Sequence, residues 1–508
     1  MNKIVPIVIA LCLGGYSALA QGVYTPVELG QMEDRSLWTS SDNAAAFSFD
    51  PLPYFGTVGV TASRLDGGYR PAQQASASTS VAAGASGNAT VGRINLIGDF
   101  AFRNIFDSGC NYNTNLYEVA DDMPYYILDS NPSRWIRQEY EMQVKASAPL
   151  SDNLSAGMIV HYTDKVGAKQ KDPRCETYVM DIDLRPSFAF RFGGNHVIGL
   201  SGLFIYDYER AYPSNNNYRI DQKTVCTLGL GEVNNSYVGG NNGLKEYYYN
   251  KYLYGGALQY AFEGDLTVRT QIKAVTGSTE VQHKKSLPES KGRTETMRLD
   301  ASALVLWGEK HDNRLDISAL YRTTDGIEKV QQLDKTAFNQ KWVTIAQNMM
   351  STYNRLEASV GYDHLFGLDG LSYNWSVGAL AGITMEDDTY SIPSSTYNWT
   401  RLEAEAFGAH NFKFKAGSLF IRAGAGYGKS LGGEYVYGGS KTDSQAINLY
   451  KEDIEFYTSD NAKAELSAIW SLRHRKASFN LGLDAVCKKS LTSGGARIAA
   501  GLSFDVFF

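Results

Sequence analysis

The sequence predicts an all-β fold, namely a transmembrane antiparallel β-barrel of about 16 strands, within a range of roughly 14 to 18. Three observations predict this fold. Apolar residues alternate with polar or small ones over long segments, tight turns alternate with long polar connections, and the chain ends in an alternating segment whose last residue is phenylalanine. A soluble β-sandwich also alternates, but its strands usually span about five or six residues. The longer segments here therefore favour strands that cross a membrane.

The C-terminal segment shows the alternation most clearly. Every second residue from Ile498 to Phe508 is apolar, so these side chains share one face of a strand, while the other face is mostly polar or small. In a closed barrel the last strand pairs with the first and thereby removes both free edges. We therefore expect Phe504, Val506 and Phe508 to form the signal that closes the barrel.

Turn-forming residues divide the chain into hairpins. Short turns are expected at 150–153, 192–195, 262–265, 308–313, 366–370, 415–417 and 473–476, and in all but the last of them Gly, Asn or Asp can supply the positive φ that tight turns need. Long connections separate these hairpins at 106–134, 164–174, 210–243, 278–292, 325–350, 387–397 and 432–459. Outer-membrane barrels have short periplasmic turns and long extracellular loops, so we expect the long connections to face outward.

The pattern gives about sixteen strands from residue 92 onward. Residues 57–65 also alternate, and they either pair with a segment near 75–90 or belong to the N-terminal region.

The sequence divides into three expected parts, two of which lie before the barrel. Residues 1–20 have a basic residue, an apolar run and a small-residue end, which is the layout of a secretory signal peptide. The apolar run is too short to cross about 30 Å of hydrocarbon. Residues 21–56 do not alternate, and they form either an N-terminal plug or a periplasmic segment. Residues 57–508 form the expected barrel.

Composition supports a β-protein and does not favour a nucleic-acid-binding protein. The chain has 33 Tyr, 22 Phe and 49 Gly but only 13 Pro, so strand-forming and turn-forming residues dominate. A mean hydropathy of -0.29 is compatible with a barrel, because only every second strand residue has to be apolar. The net charge of -6 is small and does not favour nucleic-acid binding.

No motif predicts catalysis or a cofactor. Beyond the expected signal peptide, Cys110, Cys175, Cys226 and Cys487 form no CxxC pattern and no Cys/His spacing typical of a metal site. Residues 423–430 resemble a phosphate-binding loop, but an alanine replaces the first glycine and the segment continues a strand. The sequence has neither HExxH nor a Gly-x-Ser-x-Gly motif. We therefore expect no enzyme, and an outer-membrane hydrolase is the least favoured function.

Charged residues alternate along several expected strands and should face the lumen. Residues of opposite sign occur two positions apart, so they can pair on one inner face. Inward carboxylates are also compatible with acid–base catalysis, but mixed-sign ladders are the more usual arrangement in a barrel. The expected lumen-lining residues are Arg298, Asp300, Arg355, Glu357, Arg401, Glu403, Glu405 and Arg422.

The long connections are rich in tyrosine, which combines a flat apolar ring with a hydroxyl group. Recognition residues often lie on loops, because the wall of a barrel is constrained by lipid and by strand pairing. The expected extracellular contact residues are Tyr125, Tyr126, Asp129, Tyr212, Asn215 and Asn216.

Several short pieces also carry a resemblance to a known family. They are Ser36-Leu37-Trp38 with Asn43-Ala44-Ala45, Met123-Pro124-Tyr125-Tyr126 with Asp129-Ser130, Glu139-Tyr140, and Asp172-Pro173-Arg174. Together they resemble a family of outer-membrane barrels from gut-type Gram-negative anaerobes that is catalogued as a domain of unknown function. The resemblance covers most of the chain beyond residue 20. It implies a barrel accessory to TonB-dependent nutrient uptake, with a TonB-dependent transporter as partner, and it supplies no catalytic residues.

These observations predict a protein of the outer membrane of a Gram-negative bacterium, in contact with its lipids and inserted by the barrel-assembly machinery. The expected function is transport or nutrient uptake, either as a channel or as an accessory to an active transporter. The alternative is a surface binding or adhesion barrel with a filled lumen.

Overall fold

The structure is a computed structural model, and it describes residues 23–116, 123–129, 131–217, 219–220, 224–234, 246–283, 287–336, 340–369, 372–441 and 444–508. The expected signal peptide at residues 1–20 lies outside the described residues.

The described residues form twenty-one β-strands. In chain order they are β1 Gly56–Gly67, β2 Ala77–Val91, β3 Ile94–Cys110, β4 Ile127–Asp129, β5 Ser133–Pro149, β6 Leu154–Lys169, β7 Arg174–Phe192, β8 His196–Ser214, β9 Thr224–Gly229, β10 Glu232–Asn234, β11 Tyr247–Phe262, β12 Leu266–His283, β13 Glu289–Trp307, β14 Asn313–Asp334, β15 Lys341–Phe366, β16 Trp375–Tyr390, β17 Ser395–Phe414, β18 Gly417–Val436, β19 Asn461–His474, β20 Ala477–Ser490 and β21 Ala496–Phe507.

Eighteen of these strands form one closed antiparallel sheet. Strand β1 pairs with β2 on one side and with β21 on the other, which closes the barrel. At the seam the backbone groups of Gly56 and Phe508 exchange two hydrogen bonds of 2.9 Å. The prediction of a β-barrel with 14 to 18 strands is confirmed. The count is eighteen because β1 and β2 pair with each other and join the sixteen strands expected beyond residue 92.

The outer face of the barrel is apolar, as lipid contact requires. Ile272, Leu299 and Leu502 are among its exposed side chains, and they lie at mid-strand positions. Exposed aromatic residues occur toward both ends of the strands, which is the usual position of interfacial girdles. Examples near the short turns are Phe192, Trp375 and Phe412, and examples toward the long connections are Tyr178 and Tyr252.

The strands on the extracellular side are longer than the sequence pattern suggests. Strands β14 and β15 have 22 and 26 residues, so they cover most of the connection expected at 325–350. Only residues 391–394 join β16 to β17, where we expected a connection at 387–397. The structure corrects these expected loops to paired strand. Backbone hydrogen bonds between the strands continue beyond the lipid, where apolar and polar side chains no longer have to alternate.

An N-terminal segment, residues 23–55, precedes the barrel. It contains the helix α1 at Pro26–Arg35 and a 3-10 helix at Ala45–Phe49. Helix α1 begins with a capping box, in which Thr25 accepts from the Glu28 backbone and the Glu28 side chain accepts from the Thr25 backbone.

A second helix, α2 at Gln445–Tyr457, lies in the connection between β18 and β19. Strands β4, β9 and β10 form a separate small sheet. We call this sheet together with α2 the cap. Among the described residues no helix has both the length and the apolar character needed to cross a membrane.

Candidate functional site

The N-terminal segment lies inside the barrel, against inward-facing side chains. Trp38, Ala45 and Ala46 are fully or almost fully buried, and they pack with residues of β7, β8, β11 and β13. The amide of Asn43 donates to the carbonyl oxygen of Phe188 at 3.0 Å and to Gln259 Oε1 at 3.1 Å. Residues 36–50 are therefore firmly packed in the lumen, near the periplasmic turns.

Charge pairs also join this packed part to the wall. Asp42 forms ion pairs with Lys273 at 3.1 Å and with Arg185. Burial by itself would raise the pKa of the Asp42 carboxyl, but the two cations together lower it below its usual value. Asp42 is therefore held in its ionised form between two strands of the barrel.

Helix α1 is attached to the wall by three ion pairs. Asp34 contacts Arg314 at 2.7 Å, and Arg35 contacts Asp363 at 3.4 Å. Glu28, which also caps the helix, pairs with Arg473 at the turn between β19 and β20. The apolar face of α1 packs on the opposite side, in a cluster comprising Leu29, Met32, Phe47, Leu52, Phe55, Ile97 and Phe507.

The cap fills the extracellular end of the lumen. The backbone of Tyr126 in the cap donates to Thr227 of β9 at 3.0 Å, and Ala72 donates to Asp453 of α2 at 2.7 Å. Tyr112 donates to Glu452 at 2.6 Å. The lumen is thus enclosed by the N-terminal segment at one end and by the cap at the other.

The expected extracellular contact residues are mostly buried, which corrects the exposed positions that we expected. Tyr125 and Tyr126 are 1% and 4% exposed, and burial raises the pKa of the Tyr126 hydroxyl. Asp129 is paired with Lys169 inside the protein, and Asn215 is also buried. The reason is that the cap folds back into the barrel mouth and uses these residues for packing. Two of the six expected residues remain outside this packing.

Tyr212 and Asn216 are those two residues. The ring of Tyr212 is 42% exposed and lies under the Arg210 guanidinium at 5.7 Å. The backbone of Asn216 donates to Asp172 at 3.3 Å, so its side chain is held near the rim.

The expected lumen-lining residues lie on inward positions, and they pair largely as their spacing suggests. Arg298 contacts Asp300 at 2.6 Å, and Arg355 contacts Glu357 at 2.6 Å. Each pair bridges two residues of one strand, so both side chains point to the same inner face.

Two further expected residues, Arg401 and Arg422, have partners that the sequence did not identify. Arg401 is buried and donates to the Tyr69 hydroxyl at 2.6 Å and to the Ser459 carbonyl at 2.9 Å, and its distance to Glu403 is 3.7 Å. Arg422 contacts Glu465 at 3.2 Å and lies 4.0 Å above the Phe407 ring.

The carboxylates of β17 pair over the intervening strand β18 with lysines of β19 and β20. Glu405 contacts Lys463 at 2.6 Å, and Glu403 contacts Lys488 at 2.8 Å. Lys463 also contacts Glu465 at 3.0 Å. The polar face of β19 is visible in the sequence, and it is the signal from which Lys463 and Glu465 were predictable as lumen residues.

Two cavities lie in the lumen along the wall formed by β12 to β20. The upper cavity has a volume of about 610 Å³ and lies beside β12 to β20. Its charged lining residues are Lys273, Lys463, Lys488, Asp300, Glu357, Glu403 and Glu405. Gly426 and Gly428 of β18, within the segment that resembles a phosphate-binding loop, also line it. They belong to a strand of the barrel wall and not to a loop that leads into a helix.

The lower cavity has a volume of about 450 Å³ and lies between helix α1 and the wall. Its charged lining residues are Asp34, Arg35, Arg314, Asp363, Arg422, Glu465 and Asp484. The two cavities share Val486 of β20 as a lining residue. They therefore adjoin along one side of the lumen.

Residues 44–508 match a family described as a family of unknown function, DUF6850. The chain belongs to this family. This DUF6850 chain matches none of the curated proteins.

Solved barrels resemble this DUF6850 chain at low sequence identity. The ferric preacinetobactin receptor BauA of Acinetobacter baumannii is 10% identical, with a TM-score of 0.39, over 89% of this chain and 80% of the receptor. The outer membrane transporter YddB of Escherichia coli is 9% identical, with a TM-score of 0.40 and the same two coverages. A Pseudomonas aeruginosa FadL homologue is 12% identical, with a TM-score of 0.33, over 93% and 95%.

These TM-scores are low, so the description of the barrel rests on its own sheet. A closed antiparallel sheet with an apolar outer face and a polar lumen is the form in which chains span the Gram-negative outer membrane. The DUF6850 chain is a protein of that membrane.

Proposed function

We propose that the chain is a transport component of the outer membrane that moves a small polar solute through its lumen. The observation that carries the proposal is the pair of charge-lined cavities that adjoin along one side of the lumen. A barrel that served only as a scaffold would gain stability from an apolar, close-packed filling. Polar cavities of this size instead fall within the range of small-molecule sites, which is about 300 to 1,000 Å³.

The resting state in this proposal is closed. The N-terminal segment acts as a plug, because residues 36–50 are packed against the periplasmic half of the wall. The cap covers the extracellular mouth through contacts that connect α2 to the small sheet. No described residue of 36–50 or of the cap lines either cavity, so transport requires a movement of helix α1, which lines the lower one.

The proposal also names a partner protein and includes no reaction, no cofactor and no nucleic acid. A TonB-dependent transporter is the partner that the sequence resemblance implies, with this chain as the accessory barrel. The protein carries out no reaction, requires no cofactor and binds no nucleic acid. These statements are supported by the sequence, which has no catalytic motif and little net charge.

Removal of α1 tests the transport proposal. A variant that lacks residues 23–35 keeps the packed residues 36–50, and heat-modifiable migration reports whether its barrel forms. Proteoliposomes with this variant should swell in glycylglycine or arabinose several-fold faster than protein-free liposomes. If the variant inserts and swelling stays at the protein-free rate, the lumen is not a passage and the transport proposal fails.

A surface binding barrel is the second candidate function. The observation that favours it is the packed cap, in which buried tyrosines hold an ordered surface on the extracellular side. That function requires a closed lumen, so an inserted but non-swelling α1 deletion would support it.

A further inference from the structure

The two cavities follow one another along the same strands. On β19, Asn461 and Lys463 line the upper cavity, while Glu465 and Ser467 line the lower one. This strand leads from the extracellular side toward the turn with β20 at the periplasmic end. Successive lumen-facing residues are about 6.6 Å apart along a strand, so the cavities are separated by one such step.

Strand β15 shows the same succession. Glu357 and Ser359 line the upper cavity, and Asp363 and Leu365 line the lower one. The strands β15 and β19 therefore connect the extracellular side of the cavities with the α1 side in the same order. The remaining wall, including β1 and β2, contributes no lining residue to either cavity.

We propose that solutes pass along this one side of the lumen, between β14 and β20, and that the ion pairs of helix α1 form the gate. This inference rests on the transport function proposed above and adds a route, a gate and a solute class. Asp34 and Arg35 both line the lower cavity and pair with Arg314 and Asp363 on the facing wall. Their side chains thus bridge the passage.

The contacts of α1 explain why this helix is the movable part. Two of its three ion pairs have one half-exposed partner, since the Asp34 side chain is 59% exposed and the Arg473 side chain is 45% exposed, while the Arg35–Asp363 pair is mostly buried at 12% and 23%. Ion pairs with a half-exposed partner contribute little to stability. Residues 36–50, in contrast, are held by fully buried side chains such as Ala45 and Asn43. The gate therefore opens without extraction of the packed part.

The lining charges indicate the solute class. Each cavity has three cationic and four carboxylate side chains, so its charge is nearly balanced. Most of these groups already pair with a neighbour of opposite sign, as Lys463 does with Glu405. A solute with a net charge meets repulsion from half of the lining, whereas a zwitterionic or uncharged polar solute finds donors and acceptors throughout. The passage therefore takes small zwitterionic or uncharged polar solutes.

Thiol modification tests the route in the full-length chain with Glu28→Gln, Asp34→Asn and Arg35→Gln, because the resting state of the unmodified chain is closed. Cys487 is replaced by Ala, because it is the described cysteine that is not buried. Ser467→Cys in the lower cavity is compared with Ser80→Cys, which lies on the lumen side of β2 and lines neither cavity. A bulky thiosulfonate reagent should abolish swelling through Ser467→Cys and leave the Ser80→Cys rate unchanged. Block at Ser80 without block at Ser467 would place the route on the other wall and overturn the proposal.

Neutralisation of α1 tests the gate. The triple variant Glu28→Gln, Asp34→Asn and Arg35→Gln should raise the swelling rate in glycylglycine several-fold over the unmodified chain. Glu33→Gln is the matched control, because it removes a charge from the same helix, does not line the lower cavity and breaks none of the three ion pairs, so it should not raise the swelling rate. Equal rates for the triple variant and the unmodified chain would contradict the gate.

A third comparison tests the solute class, with arabinose and glycylglycine against sodium glutamate. The two net-neutral solutes should enter faster than glutamate, and equal rates would overturn the class. If the α1 deletion swells but none of these variants behaves as expected, the route and gate are wrong while the transport function stands. If the α1 deletion itself does not swell, the transport function has failed.

Discussion

At the scale of single residues, the charges of the lumen were partly predictable from the sequence. Residues two apart on one strand share a face, so the pairs Arg298–Asp300 and Arg355–Glu357 follow from spacing alone. The partner of Arg422 did not follow, because Glu465 lies on the neighbouring strand and the register between strands is set by turns and bulges.

Glu33 offers a test of how charge affects the docking of α1. Burial raises the pKa of its carboxyl, and the nearby Asp99 and Asp34 raise it further. The docked state therefore binds the proton more tightly than the released state, so docking weakens as pH rises through these pKa values. Below the usual glutamate pKa of about 4.3 the residue is protonated in both states.

We therefore expect Glu33→Gln to stabilise docking at neutral pH and to have no effect in acid. Amide hydrogen exchange of residues 25–35 should be several-fold slower in the variant at pH 7, and the two chains should match at pH below 4. Equal exchange rates in the variant and the unmodified chain at both pH values would show that the Glu33 carboxyl lies in water in the docked state.

At the scale of elements, alternation identified strands where lipid lies on one side and water on the other. It gave only a weak signal for β2, whose alanines, serines and glycines are small on both faces. The alternation also failed to identify the extracellular ends of β14 and β15 as strand. Both faces of these ends are polar or exposed, and the strands nevertheless continue. The cap was not predictable, because β4 pairs with β9 about a hundred residues away and neither strand is long enough to show a pattern.

The register of β15 can be tested by placing an arginine on each face. Leu356 is exposed on the outer face, while Ser359 faces the upper cavity near carboxylates. Leu356→Arg should lower the free energy of unfolding by about 2 to 4 kcal/mol if the site lies near the bilayer midplane. Ser359→Arg should cost much less, because water and Glu357 are within its reach.

Urea-induced unfolding in lipid vesicles measures both variants under the same conditions. A larger loss for Ser359→Arg than for Leu356→Arg would mean that β15 has the opposite orientation.

At the scale of the whole molecule, closure depends on the pairing of β21 with β1. The register joins residues 57–67 to residues 507–497, and without β21 both β1 and β20 would have an open edge in lipid. Deletion of residues 499–508 should therefore abolish the heat-modifiable, membrane-inserted form. Phe504 and Val506 would be lost with that segment, and so would Phe508, whose backbone pairs with Gly56.

Gel migration with and without heating measures insertion, with a ten-residue deletion at 23–32 as the control for chain shortening. Normal insertion of the C-terminal truncation would disprove the role of these residues in closure.

The position of Phe507 also imposes an order on biogenesis. During secretion the N-terminal segment reaches the periplasm first and the C-terminal residues reach it last. Yet the cluster that seats Leu29, Met32, Phe47 and Phe55 is completed by Phe507, the second-last residue of the chain. The earliest part to arrive therefore has to remain unseated until the latest part is in place. Seating of the plug therefore depends on the pairing of β21 that closes the barrel.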